Sequence, residues 1–303
     1  MTNVVNKTMG AMEWGLLIGL SLLWGGSFFF VEVALVDLRP FTLVFLRVLL
    51  AAIALNIVVV MIGNRMPTSG KLWGSFLMMG LLNNLIPFSL IVWGQKEITG
   101  GLAAILNATA PLWTVILAHF FTSDEKLTPA KIVGVILGLF GVVLIIGPEA
   151  LAGLGGNLLA QTAVLVAAVS YAFAGLYGKR FKGIPPIVTA TGQISGTTVM
   201  MLPLVLIVDQ PWTMSAPSLS TWGALLGLAL LSTTVAYIIY FQLLSTAGAT
   251  NLLLVTFLIP ISAFVLGWLF LDEVLALLHV IGMGLIGLGL VAIDGRLLKR
   301  FQP

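Results

Sequence analysis

Apart from Lys131 at the start of its stretch, three charged residues lie inside the long apolar stretches of this 303-residue chain: Glu32, Arg47 and Asp294. Asp294 is near the end of its stretch and reaches the interface if that stretch crosses a membrane. The helical rise then places Glu32 and Arg47 at similar depth, roughly 5 to 10 Å below one membrane face. A charge in lipid without a partner is costly. We therefore expect a structural ion pair between these two residues or, as a sharper alternative, a carboxylate-binding role for Arg47.

Uncharged polar residues also interrupt the apolar stretches. Asn83 and Asn84 are adjacent, and two amides in hydrocarbon are costly unless they are hydrogen-bonded or wet. They point about 100° apart on a helix, so at least one should face the bundle interior or a water-filled cavity. Tryptophan prefers the membrane interface, so Trp24 near the centre of the first stretch is a candidate cavity wall. Its neighbours Gly25 and Gly26 are better explained by helix packing.

Two prolines lie near the middle of apolar stretches. Pro111 and Pro260 each remove a backbone hydrogen bond and free a carbonyl one turn back, at Asn107 and Thr256. A kink beside a polar residue predicts either a hinge with a ligand contact or a purely structural bend, and the sequence does not separate the two.

Glycines recur at helical spacing in two further stretches. Gly134, Gly138 and Gly141 share one helix face, and Gly282 and Gly289 align on another. Small residues at this spacing let helix backbones approach closely. The pattern predicts close helix packing, with dimerisation as the lesser option.

Composition identifies lipid as the solvent of this chain. Hydrophobic residues make up 59% and charged residues 8%, whereas a soluble domain has about a quarter charged residues. The chain has no cysteine, Walker A, HExxH or GxSxG motif and no metal-ligand cluster, so we predict no cofactor and no enzymatic activity. Its positive residues sit in separate loops, which argues against a nucleic-acid partner. The expected partners are the bilayer and a small-molecule substrate. The oligomeric state is open, with a monomer as the simplest case.

Ten stretches are long and apolar enough to cross a bilayer as helices, which takes about 20 residues. They cover residues 14–35, 41–62, 72–94, 99–121, 129–147, 157–178, 186–208, 219–243, 248–271 and 275–294. The first is too long for a signal peptide and no cleavage site follows it. With a cytoplasmic N-terminus, eleven Lys and Arg residues fall inside and two outside, as the positive-inside rule requires. The sequence predicts an all-α multi-pass membrane protein with both termini cytoplasmic.

The two halves of the chain resemble each other at fixed spacing. Five helices is an odd number, so halves 1–150 and 151–303 would be inverted in one membrane domain. Inverted repeats are frequent in secondary transporters, whose substrate site lies near the midplane between the halves. The matched positions are Trp73-Gly74 with Trp222-Gly223, Asn83-Asn84 with Ser232-Thr233 and Pro111 with Pro260, all 149 apart, and Pro40 with Pro186 and Arg47 with Gln193, both 146 apart.

These landmarks carry a family resemblance over nearly the whole chain. The WGGSF run at 24–28, Arg47 seven residues after Pro40, the two central prolines, and the acidic pairs Asp124-Glu125 and Asp272-Glu273 resemble the EamA family of the drug/metabolite transporter superfamily. Within it the sequence is most similar to YddG-type amino-acid exporters. The resemblance implies export by alternating access across a bacterial inner membrane. The second half departs from the first, with Tyr171 in place of Trp24 and Gln193 in place of Arg47.

The resemblance also implies an uncharged, partly aromatic cavity between helices 1, 3, 4, 6, 8 and 9. Such a cavity suits a zwitterionic amino acid, whereas a sugar-phosphate carrier would need several basic residues and a cation antiporter a central carboxylate. The alternatives are a multidrug or other metabolite transporter, proton-coupled through Glu32, and an intramembrane enzyme. The predicted substrate-binding residues are Trp24, Ser27, Asn83, Asn84, Phe88, Asn107, Tyr171, Tyr237 and Thr256, with Pro111 and Pro260 as hinges.

Overall fold

The computed structural model describes residues 9–122, 127–147, 151–152, 154–270 and 276–294. Within these ranges every regular element is helical and no strand occurs. The two acidic pairs of the sequence pattern and both chain termini lie outside the described residues. The prediction of an all-helical chain is therefore confirmed for the part that the structure describes.

The helices follow the apolar stretches of the sequence. Eight of them, α1 to α8, are long and apolar enough to cross a membrane; α9 has 16 residues, and the apolar part of α10 runs over Leu277–Ile293. The count of ten crossing helices thus remains a prediction. The bounds are α1 Ala11–Leu35, α2 Pro40–Met61, α3 Gly70–Gln95, α4 Gly100–Phe121, α5 Pro129–Ile146, α6 Leu158–Phe181, α7 Pro186–Asp209, α8 Leu219–Leu253, α9 Val255–Phe270 and α10 Leu277–Asp294.

The longest helix, α8, contains a break at Gly248. The backbone there has φ 81° and ψ 172°, a conformation that glycine adopts without steric cost. Gly248 is also the residue at which the sequence places the start of the ninth stretch. The 35 residues of α8 therefore consist of a long segment before Gly248 and a short one after it.

Helices α3 and α8 each contain a wider, π-helical turn. These turns cover Leu81–Leu85 in α3 and Gly227–Val235 in α8. The repeat spacing of 149 residues carries 81–85 onto 230–234, inside the second turn. A π turn changes the hydrogen-bond register of a helix and is frequently found at functional sites. Both turns fall on the polar pairs that the sequence singles out in these helices.

Helix contacts obey the pairing that a duplicated bundle requires. Three contacts in one half each have a counterpart in the other. The contact of α1 with α9 corresponds to that of α6 with α4. Likewise, the contacts of α3 with α7 and with α6 correspond to those of α8 with α2 and with α1. Helices α2 and α7 contact each other, as do α5 and α10. The central layer thus brings together helices from both halves of the chain.

Helices α5 and α10 lie backbone against backbone. A Cβ atom added at Gly134 would come 2.6 Å from the carbonyl oxygen of Gly289, and one at Gly141 would come 2.6 Å from that of Gly282. Gly138 faces the ring of Phe257 instead, with a Cβ distance of 2.8 Å. The prediction that these glycines serve close helix packing is confirmed.

Two carboxylates join the halves at one end of the bundle. Asp209, at the end of α7, accepts hydrogen bonds from the backbone nitrogen and hydroxyl of Thr42 in the first turn of α2, at 2.6 and 2.9 Å. Asp37, after α1, accepts bonds from the hydroxyls of Ser218 and Thr221 at the start of α8, both at 2.6 Å. Helices α1 and α7 therefore end at the same face. A short loop joins α6 to α7 and reverses the direction of the chain. Because α1 and α7 run in the same direction, α6 runs opposite to α1.

Asp37 gives this end of the bundle a pH dependence. Hydrogen bonds from the Ser218 and Thr221 side chains lower the pKa of its carboxyl from 3.8 to about 2. A carboxyl whose pKa is lowered by folding stabilises the fold at any pH above its pKa in the unfolded chain. This stabilisation is lost as the pH falls from about 4 through about 2. We expect the difference in unfolding temperature between wild type and Asp37→Asn to be constant above pH 4 and to shrink towards pH 2. Thermal unfolding in detergent measures it; an equal difference at pH 5 and pH 2 would contradict the assignment.

Candidate functional site

A cavity lies between seven helices, α1 to α4, α6, α8 and α9. It contains six of the nine predicted binding residues and the buried arginine of α2. The lining residues are Trp24, Ser27, Phe28, Val31, Arg47, Phe88, Ile91, Val92, Gln95, Asn107, Tyr171, Tyr240, Leu253, Thr256 and Ile259. No carboxylate is among them, so the charge on this wall is that of Arg47.

Arg47 is 4% exposed and has no ion-pair partner among the residues that the structure describes. Its Nε donates to the hydroxyl of Thr233 at 2.8 Å and its Nη2 to the carbonyl of Ser232 at 3.3 Å, while the guanidinium lies 3.9 Å from the ring centroid of Phe88. The expected ion pair with Glu32 is wrong. Glu32 is exposed, whereas Arg47 is buried and turned towards α8. The two residues share a depth but occupy different faces.

The π turn of α8 holds both Arg47 and Trp24. The carbonyl oxygen of Ser232 accepts from Nε1 of Trp24 at 3.1 Å as well as from Arg47. The Thr233 hydroxyl donates to the Leu228 carbonyl, five residues back, at 2.6 Å and accepts from Arg47. The guanidinium is thus fixed by neutral oxygens that leave its positive charge uncompensated. A buried cation held in this way can bind an anionic group of a ligand that enters the cavity.

Two other cavity residues carry buried polar atoms without a hydrogen-bond partner in the described protein. They are the side-chain oxygens of Gln95 and Asn107. Buried polar atoms are nearly always hydrogen-bonded, and leaving one unpaired costs about 1–3 kcal/mol. The amide oxygens of Gln95 and Asn107 are acceptors, which suits a ligand with N–H or O–H donors. The cavity therefore offers a cation for an anionic group and acceptors for a donor group.

Aromatic rings form much of the remaining wall. The Trp24 and Tyr240 ring centroids are 6.1 Å apart, and Phe28, Phe88 and Tyr171 complete the aromatic lining. Apolar pockets with a few converging polar groups are the usual form of small-molecule sites. These rings suit an apolar side chain, while Arg47, Gln95 and Asn107 serve polar ends.

Sequence reasoning missed several lining residues. Tyr240 lies three positions after Tyr237, so the two share a helix region, but Tyr240 faces the cavity. Gln95 is next to the predicted break at Lys96-Glu97 and was not distinguishable there from a loop residue. The other missed residues are apolar or aromatic and carry no signal apart from their helix face: Phe28, Val31, Ile91, Val92, Leu253 and Ile259.

Three predicted binding residues lie behind the cavity wall instead of on it. Asn83, Asn84 and Tyr237 are at most 1% exposed and form a hydrogen-bonded group with Gln193 of α7. The Tyr237 hydroxyl accepts from the Asn84 amide at 2.7 Å and donates to the Asn83 carbonyl at 3.1 Å. None of the four lines the cavity. Both asparagines are buried inside the bundle, as expected for at least one of them, and each side-chain amide nitrogen donates to another protein side chain.

The two predicted hinges differ in their surroundings. Helix α4 is interrupted by a turn at residues 108–109, and Pro111 lies in the first turn after it. Pro260 lies inside the continuous part of α9. The break beside Pro111 follows directly after Asn107, a cavity residue, while Pro260 follows Ile259, which also lines the cavity. A hinge role stays a prediction for both prolines.

Known proteins with similar sequences are named as transporters. Relatives named as uncharacterized transporters include YoaV and YdfC of Bacillus subtilis strain 168, which are 27% and 28% identical over 90% and 92% of this chain and 94% and 87% of their own lengths. The uncharacterized inner membrane transporter YedA of Escherichia coli K12 is 24% identical over 95% of this chain and 93% of its own length. The names of these proteins give no substrate.

A solved crystal structure shares the fold, with a TM-score of 0.78 and 19% sequence identity, covering 97% of this chain and 100% of that one. The sequence profile of the EamA-like transporter family matches twice, at residues 13–147 and 158–293. Together these matches cover most of the sequence and fall one in each half. The chain belongs to the EamA-like transporter family of membrane transporters.

Proposed function

We propose that this protein is a secondary transporter that exports amino acids or similar small zwitterions across a bacterial inner membrane by alternating access. The observation that carries the proposal is Arg47, a buried cation on the cavity wall with no carboxylate partner in the described residues. A substrate carboxylate would compensate its charge. The substrate ammonium would donate to the unpaired amide oxygens of Gln95 and Asn107.

The architecture in the proposal is ten spans in two inverted halves, residues 1–150 and 151–303, with both termini cytoplasmic. It is supported by the mirrored helix contacts and by the opposite directions of α1 and α6. Exchange of conformations between such halves turns an outward opening into an inward one. The direction of transport, export, is supported by the resemblance of the sequence motifs to YddG-type exporters and not by the cavity itself.

Amino acids fit this cavity better than the alternatives considered from sequence. A sugar phosphate would bring two negative charges to a single arginine. A proton-coupled multidrug carrier working through Glu32 would need that carboxylate near the site, but Glu32 is exposed and does not line the cavity. We therefore propose exchange or facilitated diffusion, with no coupling carboxylate on the wall.

The proposal predicts flux of neutral amino acids in reconstituted vesicles. We expect counterflow of at least one labelled member of a panel of neutral, acidic and basic amino acids to exceed that of empty vesicles at least about tenfold. Neutral members should be preferred, because Arg47 is the single charge on the wall. The empty vesicles control for leakage. The absence of flux for the whole panel would reject the substrate class.

A further inference from the structure

Four buried side chains form a polar cluster behind the wall of the first cavity, and we call them the inner polar cluster: Asn83, Asn84, Gln193 and Tyr237. The amide nitrogen of Asn83 lies 3.2 Å from the side-chain oxygen of Gln193, and that of Asn84 lies 2.7 Å from the Tyr237 hydroxyl. Two atoms of the cluster have no partner in the described protein, Nε2 of Gln193 and Oδ1 of Asn84. An orphan donor and an orphan acceptor are therefore buried in one cluster.

The inner polar cluster is the repeat counterpart of the Arg47 site. In the first site a polar residue of α2 is held by the π turn of α8. In the cluster a polar residue of α7 is held by the π turn of α3. The matched residues are Gln193 for Arg47, 146 apart, and Asn83 for Ser232, Asn84 for Thr233 and Phe88 for Tyr237, each 149 apart.

A second cavity lies one helical turn from this cluster. Thr189 lines it four residues before Gln193, and Phe241 lines it four residues after Tyr237. Three of its lining residues are counterparts of residues that line the first cavity: Gly178 for Val31, 147 apart, and Phe241 for Val92 and Leu244 for Gln95, each 149 apart. The second cavity thus occupies the mirrored place of the outer part of the first.

An aromatic layer separates the two cavities. Tyr240 lines the first cavity and its neighbour Phe241 the second, with ring centroids 5.0 Å apart. Phe181, which also lines the second cavity, has its ring centroid 6.4 Å from that of Phe241. The ring centroid of Tyr237, a member of the cluster, is 6.3 Å from that of Phe241. Aromatic rings therefore lie between the second cavity and the inner polar cluster.

We propose that the inner polar cluster is a second binding station for the polar head of the substrate, closed here and open to the second cavity in the alternate conformation. The proposal rests on the proposed function. Nε2 of Gln193 would donate to the carboxylate, and Oδ1 of Asn84 would accept from the ammonium. Because the cluster offers a neutral amide where the first site offers the full positive charge of Arg47, this station binds the carboxylate more weakly than the Arg47 site.

Thiol labelling tests the opening without any substrate, because the chain has no cysteine of its own. We expect Gln193→Cys to react with a charged, membrane-impermeant thiol reagent added on the second-cavity side, and not on the opposite side. Ile194→Cys is the matched control, since Ile194 is the next residue of α7, equally buried, and outside the cluster. Its reaction should be at least tenfold slower. Equal, slow reaction of both variants would overturn the proposal.

Transport by Gln193 variants tests the binding role. Gln193→Leu should lower leucine counterflow at least tenfold, while equilibrium binding of leucine from the Arg47 side changes less than about twofold. Gln193→Asn, which keeps an amide, should recover part of the flux. Wild-type flux in Gln193→Leu would overturn the station. If wild-type protein carries no amino acid at all, the proposed function fails, and the labelling result still decides whether the cluster opens.

Discussion

Arg47→Gln is expected to reduce amino-acid flux roughly 30-fold or more while leaving the protein folded. Removing the charged partner of a buried, hydrogen-bonded carboxylate costs about 2–5 kcal/mol, and each 1.4 kcal/mol is tenfold. The fold should tolerate glutamine, because Gln193 occupies the repeat-equivalent position and is fully buried. Arg47→Lys should be intermediate, since an ammonium cannot reproduce the planar fork that reaches both Thr233 and Ser232. Flux in proteoliposomes measures the effect.

Arg65→Gln provides the matched control. Arg65 lies between α2 and α3, is exposed, and its substitution removes the same charge from the same half of the chain. Its flux should stay within about twofold of wild type. If Arg65→Gln and Arg47→Gln lowered flux equally, the effect would be one of net charge. If neither did, Arg47 would have no part in substrate binding.

Gly282→Val is expected to destabilise the protein by overpacking the contact between α5 and α10. A Cβ there would lie 2.8 Å from the carbonyl oxygen of Gly141 and 3.2 Å from the backbone nitrogen of Ile145. Backbone atoms cannot rotate away, so α5 and α10 must separate. Overpacking a tight contact costs about 1–3 kcal/mol. We expect the unfolding temperature in detergent to fall by several degrees and the yield of monodisperse protein to drop.

The control for this variant lies in the same helix. Gly284 is exposed, and a Cβ there meets nothing within 4 Å. Gly284→Val carries the same change in helix propensity, so the difference between the two variants isolates the contact with α5. The unfolding temperature of Gly284→Val should match wild type. Equal destabilisation by both valines would mean that the contact with α5 is not the cause of the effect.

Periodicity and composition predicted the helices and much of the site. Apolar length located the stretches that form α1 to α8, and glycine spacing identified the faces on which α5 and α10 meet. Polar residues in hydrocarbon pointed to Asn107 and Thr256, and an out-of-place tryptophan pointed to Trp24; all three line the cavity. These signals are local, since an unusual residue in an apolar helix is visible without knowledge of its neighbours.

The failures concern which helix faces which. Glu32 and Arg47 have similar depth, but depth does not determine rotation about the helix axis, and Arg47 turns towards α8 while Glu32 is exposed. The π turns at Leu81–Leu85 and Gly227–Val235 change the register of the residues that follow. That shift is invisible at 3.6-residue periodicity. It contributes to placing Tyr237 behind the wall and Tyr240 on it.

Competition between a neutral amino acid and its carboxamide tests most directly whether Arg47 recognises a carboxylate. The two compounds differ by the group that should contact Arg47, and both keep the ammonium. In wild-type proteoliposomes we expect leucine to compete for labelled-substrate flux at least about 30 times more effectively than leucinamide. In Arg47→Lys the ratio should shrink markedly. Equal competition by the two compounds in the wild type would contradict the account.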